Sequence, residues 1–147
     1  MADRVIHFDI EVFLTSHIRQ GLNALAGQPF AGGFVSNEFW TSNPQDPRPA
    51  PRFQVVVRDD SGPRTSVVTK EPSVGITVLG SDSADKIFIA NLGNVVFAIM
   101  EGCARSEPGN PVAAVLGANG PYKVTDDSGH PRRYMTFELS VVGKAFP

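Results

Sequence analysis

The sequence predicts an α+β fold: one mostly antiparallel β-sheet with two α-helices packed on one face, and a long irregular loop after the first helix. Three observations carry that expectation. Two stretches, residues 9–26 and roughly residues 81–103, place apolar side chains at three- and four-residue intervals, as a helix with one buried face does. Other stretches alternate with a period of two, as in Val74, Ile76 and Val78, or Met135, Phe137, Leu139 and Val141, which marks half-buried strands. The order along the chain is helix, strands, helix, strands, which suits helices gathered on one side of an antiparallel sheet.

The elements follow in order. Asp9 is a good N-cap, because its carboxylate can accept from the free amides of a first helical turn. Ile10, Phe13, Leu14, His17, Ile18, Gly21, Leu22 and Leu25 form one stripe behind it, and Gly27 is placed as the stop. Residues 28–52 hold five prolines, the pair Gly32-Gly33, and the aromatics Phe30, Phe34, Phe39 and Trp40. Structureless loops of that length are uncommon and usually functional or disordered, and the aromatics argue against disorder. A short strand is expected between Gly33 and Trp40, with the rest held partly by contacts to another chain. Phe53–Arg58 is expected to pair with Thr65–Lys70 through an Asp-Asp-Ser-Gly turn. Pro72 breaks the run, and the Val74–Val78 strand follows. The second helix is expected to start at Ser81 or Ser83, with Ala84, Ile87, Phe88, Leu92, Val95, Val96, Ile99 and Cys103 as its stripe. After the Glu107–Pro111 loop comes an apolar run, Val112–Leu116. Gly117–Pro121 then reads as a turn, and Tyr122–Thr125 and Arg133–Val142 as a hairpin.

Composition narrows the function. A chain of 147 residues is expected to form one domain spanning 1–147 and to bury roughly 70% of its unfolded surface. Thirteen basic residues against fifteen acidic give a net charge of −2, with no global attraction to nucleic acid or to anionic membrane. No apolar run approaches the ~20 residues that span a bilayer, and Met1-Ala2-Asp3-Arg4 does not open a secretory signal. Cys103 is the only cysteine, so there is no internal disulfide and no cysteine zinc site. A lone thiol fits synthesis in a reducing cytoplasm. No cofactor and no membrane partner are expected.

Asp-Asp-Ser-Gly occurs twice, as Asp59-Asp60-Ser61-Gly62 before Pro63-Arg64 and as Asp126-Asp127-Ser128-Gly129 before His130-Pro131-Arg132-Arg133. As carboxylate pairs they could serve a metal or a catalytic dyad. Neither has the alternating oxygens and distal glutamate of a calcium loop. Asp, Ser and Gly are standard turn formers, so two hairpin tips are the preferred reading. His7, His17 and His130 lack ligand spacing, and His17 falls on the apolar stripe. Cys103 sits among apolar residues with nothing to lower its pKa and reads as a packed thiol. Neither glycine pair is followed by the Lys-Ser or Lys-Thr of a phosphate loop. Arg48, Arg52, Arg58, Arg64, Arg132 and Arg133 are either a solvated rim or contacts to a partner, since interfaces enrich arginine and aromatics. Phe39-Trp40 beside the proline-rich tract is the best anchor candidate.

The C-terminal run Gly120-Pro121-Tyr122-x-x-x-Asp126-Asp127, then Pro131-Arg132-Arg133-Tyr134-x-x-Phe137-Glu138-Leu139, resembles the end of the tail terminator proteins of long-tailed bacteriophages. The N-terminal helix, the proline-rich stretch, the alternating strand from Val74 to Leu79, the helix with Ala84 and Ala90 and the Pro111-Val112 segment are similar in order. The resemblance covers most of the chain; the 28–52 stretch and the longer second hairpin fit loosely. It implies a virion structural protein and not an enzyme. Made in the host cytoplasm, it would form a homohexameric ring on the last ring of the major tail tube protein. The ring would stop tube growth and offer a surface to the head-tail connector or stopper protein, with DNA passing through its lumen without sequence-specific binding. Candidate interface residues are Phe39, Trp40, Arg48, Arg52, Asp59, Asp60, Arg64, Asp126, Asp127, Arg132 and Arg133. The alternatives are another head-tail joining protein such as a stopper or tail completion factor, a small metal-dependent hydrolase using Asp59, Asp60, Asp126 and Asp127, and a monomeric adaptor that grips a peptide with the 28–52 loop.

Overall fold

In the computed structural model, which describes residues 4–25, 27, 29–30, 33–45 and 48–145, the chain is α+β. The elements run β1 (Val5–Ile6), α1 (Ile10–Asn23), β2 (Phe34–Ser36), β3 (Phe53–Asp59), β4 (Thr69–Lys70), β5 (Ser73–Gly80), α2 (Lys86–Glu101), β6 (Val112–Val124), β7 (Arg132–Val142) and β8 (Lys144–Ala145). Gln28, Gly32 and Pro47 of the long loop, and Ala26 at the expected end of the first helix, lie outside the described residues.

Asp9 caps α1 as expected: in extended backbone, its carboxylate accepts from the amides of Glu11 and Val12 at 3.0 and 3.2 Å. That contact is worth about 1 kcal/mol. The helix ends at Asn23 with Ala24 as its cap, so Gly27 is not the stop and Leu25 is left exposed. At the other helix neither serine is the cap. Asp82 folds a turn of its own by accepting from the Ala84 amide at 2.9 Å, and α2 begins after Asp85. At about 3.6 residues per turn, Ile87 lies nine residues from Val96 and so on the opposite side of the helix from the buried face. Ile89, Leu92, Val96, Met100 and Cys103 are fully buried, whereas Ile87, expected on the stripe, is 80% exposed.

β3, β5 and β7 pair antiparallel in that order, β2 adds to β3 in parallel, and β6 runs along the far side of β7. β4 and β5 lie end to end on one side of β7 in a single register, Thr69 opposite Val142 and Ser73 opposite Glu138. Between them the Leu139 amide donates to the Pro72 carbonyl at 3.0 Å. Proline has no amide to return the bond, and the strand is interrupted there. β1 and β8 pair separately. Phe53, Val55 and Val57 of β3, Val74, Ile76 and Val78 of β5, and Met135, Phe137 and Leu139 of β7 face Leu14, Ile18 and Leu22 of α1 and the buried stripe of α2. Each such side chain contributes about 1.5–3 kcal/mol over its exposed state.

Two strand expectations need correction. β3 pairs with β5 and not with 65–70. The first Asp-Asp-Ser-Gly is part of the arm of that hairpin, where Asp60 and Ser61 together face Ser73: the Asp60 amide donates to Ser73 O at 2.8 Å and the Ser73 amide to Ser61 O at 2.9 Å. This is a one-residue bulge, and Ser61 takes φ +65°. The arm continues to a tip at Thr65–Thr69, whose ends meet through a 3.0 Å amide-carbonyl bond. The second copy is a tip, closed by the Gly129 amide on Asp126 O at 2.9 Å with Gly129 at φ +77°. Gly117–Pro121 is not a turn. It lies within β6, absorbed by shifts of register between Val112 and Ala114, Val115 and Gly117, and Asn119 and Tyr122.

Ile89→Ala is expected to cost about 2–5 kcal/mol of stability, and Ile87→Ala less than about 0.5 kcal/mol. Denaturant midpoints at unchanged slope would measure both. A larger loss at Ile87 would overturn this helix phase.

Candidate functional site

Strand alternation sends every second residue of the sheet away from the helices. On β3 these are Val56 and Arg58, on β5 Gly75 and Thr77, on β7 Arg132 and Tyr134, and on β6 Val124. With Asn37 and Phe39, from the segment after β2, they line a hollow of about 520 Å³. Its floor depends on Gly75. A Cβ there would stand 3.1 Å from Tyr134 Cζ and nearer still to the hydroxyl, so any side chain would displace the tyrosine ring.

Two arginines flank the hollow. Arg58 grips Asp60 with both nitrogens, Nε to Oδ1 at 2.7 Å and Nη2 to Oδ2 at 3.3 Å, and Nη2 also lies 3.5 Å from the Tyr134 hydroxyl. Arg132 donates from Nη1 to Asp126 Oδ2 at 3.4 Å. Its guanidinium carbon lies 5.7 Å from the centroid of the Phe39 ring, within cation-π range. Arg132 Nε is buried and has no hydrogen-bond partner among the described residues. The Ser128 hydroxyl and the Ser128 amide, and then Arg132, hold the Asp126 carboxyl below its ordinary value.

Of the residues expected at an interface, Phe39, Asp60, Asp126 and Arg132 meet on or beside this face. The others go elsewhere. Trp40 donates its amide to Gln54 Oε1 at 2.8 Å and, with Arg48 and the prolines at 49 and 51, lines a separate hollow of about 380 Å³. Arg52 lies 3.8 Å over the Phe88 ring and pairs with Asp85 at 3.1 Å, so it braces the start of α2. Arg64 turns back onto the Ser66 and Val67 carbonyls at 2.9 and 3.3 Å. The Asp59 carboxylate accepts from Ser61 N, while its amide donates to Glu11 Oε2, both at 2.7 Å. Asp127 is exposed at the second tip. Arg133 is on the helix face beside Gly93 of α2.

Asn37, Gly75, Thr77, Val124 and Tyr134 were not anticipated as site residues. For the four strand residues among them the sequence signal is alternation on the side away from the apolar positions; Asn37 follows β2 and carries no such signal. The two aspartate pairs do not converge. Asp59 is level with Val74 and Phe137, whereas Asp126 lies beyond Arg132, so roughly 17 Å of strand intervenes. Among the described residues no three His, Cys, Asp or Glu side chains cluster as a metal would require, and no helix is long and apolar enough to cross a membrane. His17 is packed, with Nε2 3.2 Å from Ile99 O and its ring stacked on Phe13. No protein-family model matches the chain, and no curated protein matches it in sequence.

Burial pushes the Cys103 thiol up to about 11. Iodoacetamide at pH 8 is expected to leave it unmodified in the native protein and to alkylate it fully in denaturant; rapid native labelling would contradict the packing. For Asp126 the folded value lies below the unfolded one of about 3.9. The stability it contributes is therefore present above that pH and lost as pH falls through the folded value. Thermal midpoints of the native protein and Asp126→Asn should differ at pH 6 and converge at more acidic pH. A constant gap would assign the effect to something other than the charge.

Proposed function

We propose that the chain is a tail terminator: a virion structural protein that forms a ring on the end of a phage tail tube, ends tube growth and gives the head side a surface to join. One observation supports this beyond the sequence resemblance. Two unlike apolar patches sit at opposite ends of β7. Val67, Val68 and Val142 are exposed at its C-terminal end; Phe39 and Tyr122 are exposed at its N-terminal end. A closed ring of more than two subunits needs such an arrangement, because each copy must offer one patch to a neighbour and a different patch to the other neighbour. A two-fold dimer would need only one self-complementary patch.

The partners under this reading are further copies of the chain, the major tail tube protein and a head-side connector. DNA passes the lumen without base readout, as the balanced charge allows. The hydrolase alternative loses support from the separation of the aspartate pairs, and the peptide-adaptor alternative from the splitting of the 28–52 segment among three hollows.

Electron microscopy of particles assembled without the protein provides the test. Tails of uncontrolled, excessive length are expected. Tails of normal length beside unattached heads would overturn the terminator role and favour a connector.

A further inference from the structure

The Val67-Val68 corner and the open-face hollow are fixed at the two ends of one strand, and each has what the other lacks. The corner is apolar, exposed and rigid. Arg64 holds the Ser66 and Val67 carbonyls, the Ser66 hydroxyl accepts from the amides of Val68 and Thr69 at 3.2 and 3.0 Å, and the Gly143 amide holds Val68 O at 2.8 Å. Its backbone is already ordered, so docking would cost little conformational freedom. The hollow offers an apolar wall of Phe39, Val56, Val124 and the Tyr134 ring. Beside it, Arg132 Nε is a buried donor without an acceptor among the described residues, an arrangement that is costly unless something supplies one.

Charge completes the match. The corner carries Arg64 and Lys70; the two arginines that line the hollow are already engaged, Arg58 by Asp60 and Arg132 by Asp126, and Asp127 stands exposed at the adjoining tip. The two features cannot meet within one molecule, because along β7 roughly 20 Å separates Val142 from Thr136, which is level with Gly75 at the near end of the hollow.

We infer that the Val67-Val68 corner of one copy seats in the open-face hollow of the next, head to tail, with its cations against the neighbour's Asp126-Asp127 loop. The inference rests on the ring reading above and names its contact. It makes Phe39 a docking wall, and it leaves the Trp40 and Arg48 hollow outside the subunit contact.

A double cysteine variant, Val67→Cys with Val124→Cys, tests it. Both positions are exposed or half-buried, and Cys103 is fully buried. Oxidation is followed on non-reducing gels, in concentrated protein and again on isolated tail tubes, with light scattering alongside. A ladder of trimers and larger species that collapses on reduction is the expected result. Each single variant can give at most dimers, and Val67→Cys with Ile87→Cys should give no ladder. Multimers that form without the cross-link would overturn this contact and leave the ring reading standing. A chain that stays monomeric in both settings would overturn both.

Discussion

Strand β7 is hydrogen-bonded along both sides, and the rest of the molecule depends on its register. β4 and β5 share one side and β6 takes the other. Met135, Phe137 and Leu139 are thereby committed to the helices, and Arg132 and Tyr134 to the open face. Side chains alternate with a period of two, so a slip of one residue would exchange those sets. The buried stripes of both helices and the aromatic contact between Phe97 and Phe137, with centroids 5.2 Å apart, oppose such a slip. The hollow inherits its shape from the same register, because Gly75 and Tyr134 meet only when β5 and β7 are paired as they are.

Charged pairs on the surface arrange this frame more than they stabilise it. Arg58-Asp60 and Arg132-Asp126 are partly solvated, and such pairs are worth little individually. Their effect is to fix two guanidiniums beside an apolar floor. Arg52 shows a different use. It takes the Asp85 carboxylate, which stands at the N-cap position of α2 and makes no capping bond. The lost cap is offset by the guanidinium lying on Phe88, which packs in turn against Phe30 and Phe53.

What could be read in the sequence was mostly local. Asp9 could be assigned as a cap because the bonds it makes reach only two and three residues. The alternating apolar positions of β5 and β7 gave the fold class. Long-range pairing decided what was misread. The same tetrapeptide is a bulged arm at Asp59–Gly62 and a tip at Asp126–Gly129, and only the partner strand distinguishes the two. Gly117–Pro121 has the composition of a turn, yet β7 holds it in a strand. Ile87 is apolar, but at about 100° per residue it stands opposite Val96 and well away from Leu92, so residue type suggests a stripe position that the helical phase denies. At the site, Phe39 and Arg132 stood out by residue type. Arg58, Gly75 and Tyr134 come together from three strands, and nothing in their sequence separation announces it.

The uneven course of β6 has a further consequence. Its outer side pairs with no other strand among the described residues, and an unpaired edge of such length invites a second sheet to add onto it without limit. Its register shifts three times, and Pro121 interrupts the row of amide donors. A long in-phase run of donors and acceptors is therefore never presented to solvent. Irregularity that makes the strand hard to recognise in the sequence also guards the folded protein against edge-to-edge fibre growth.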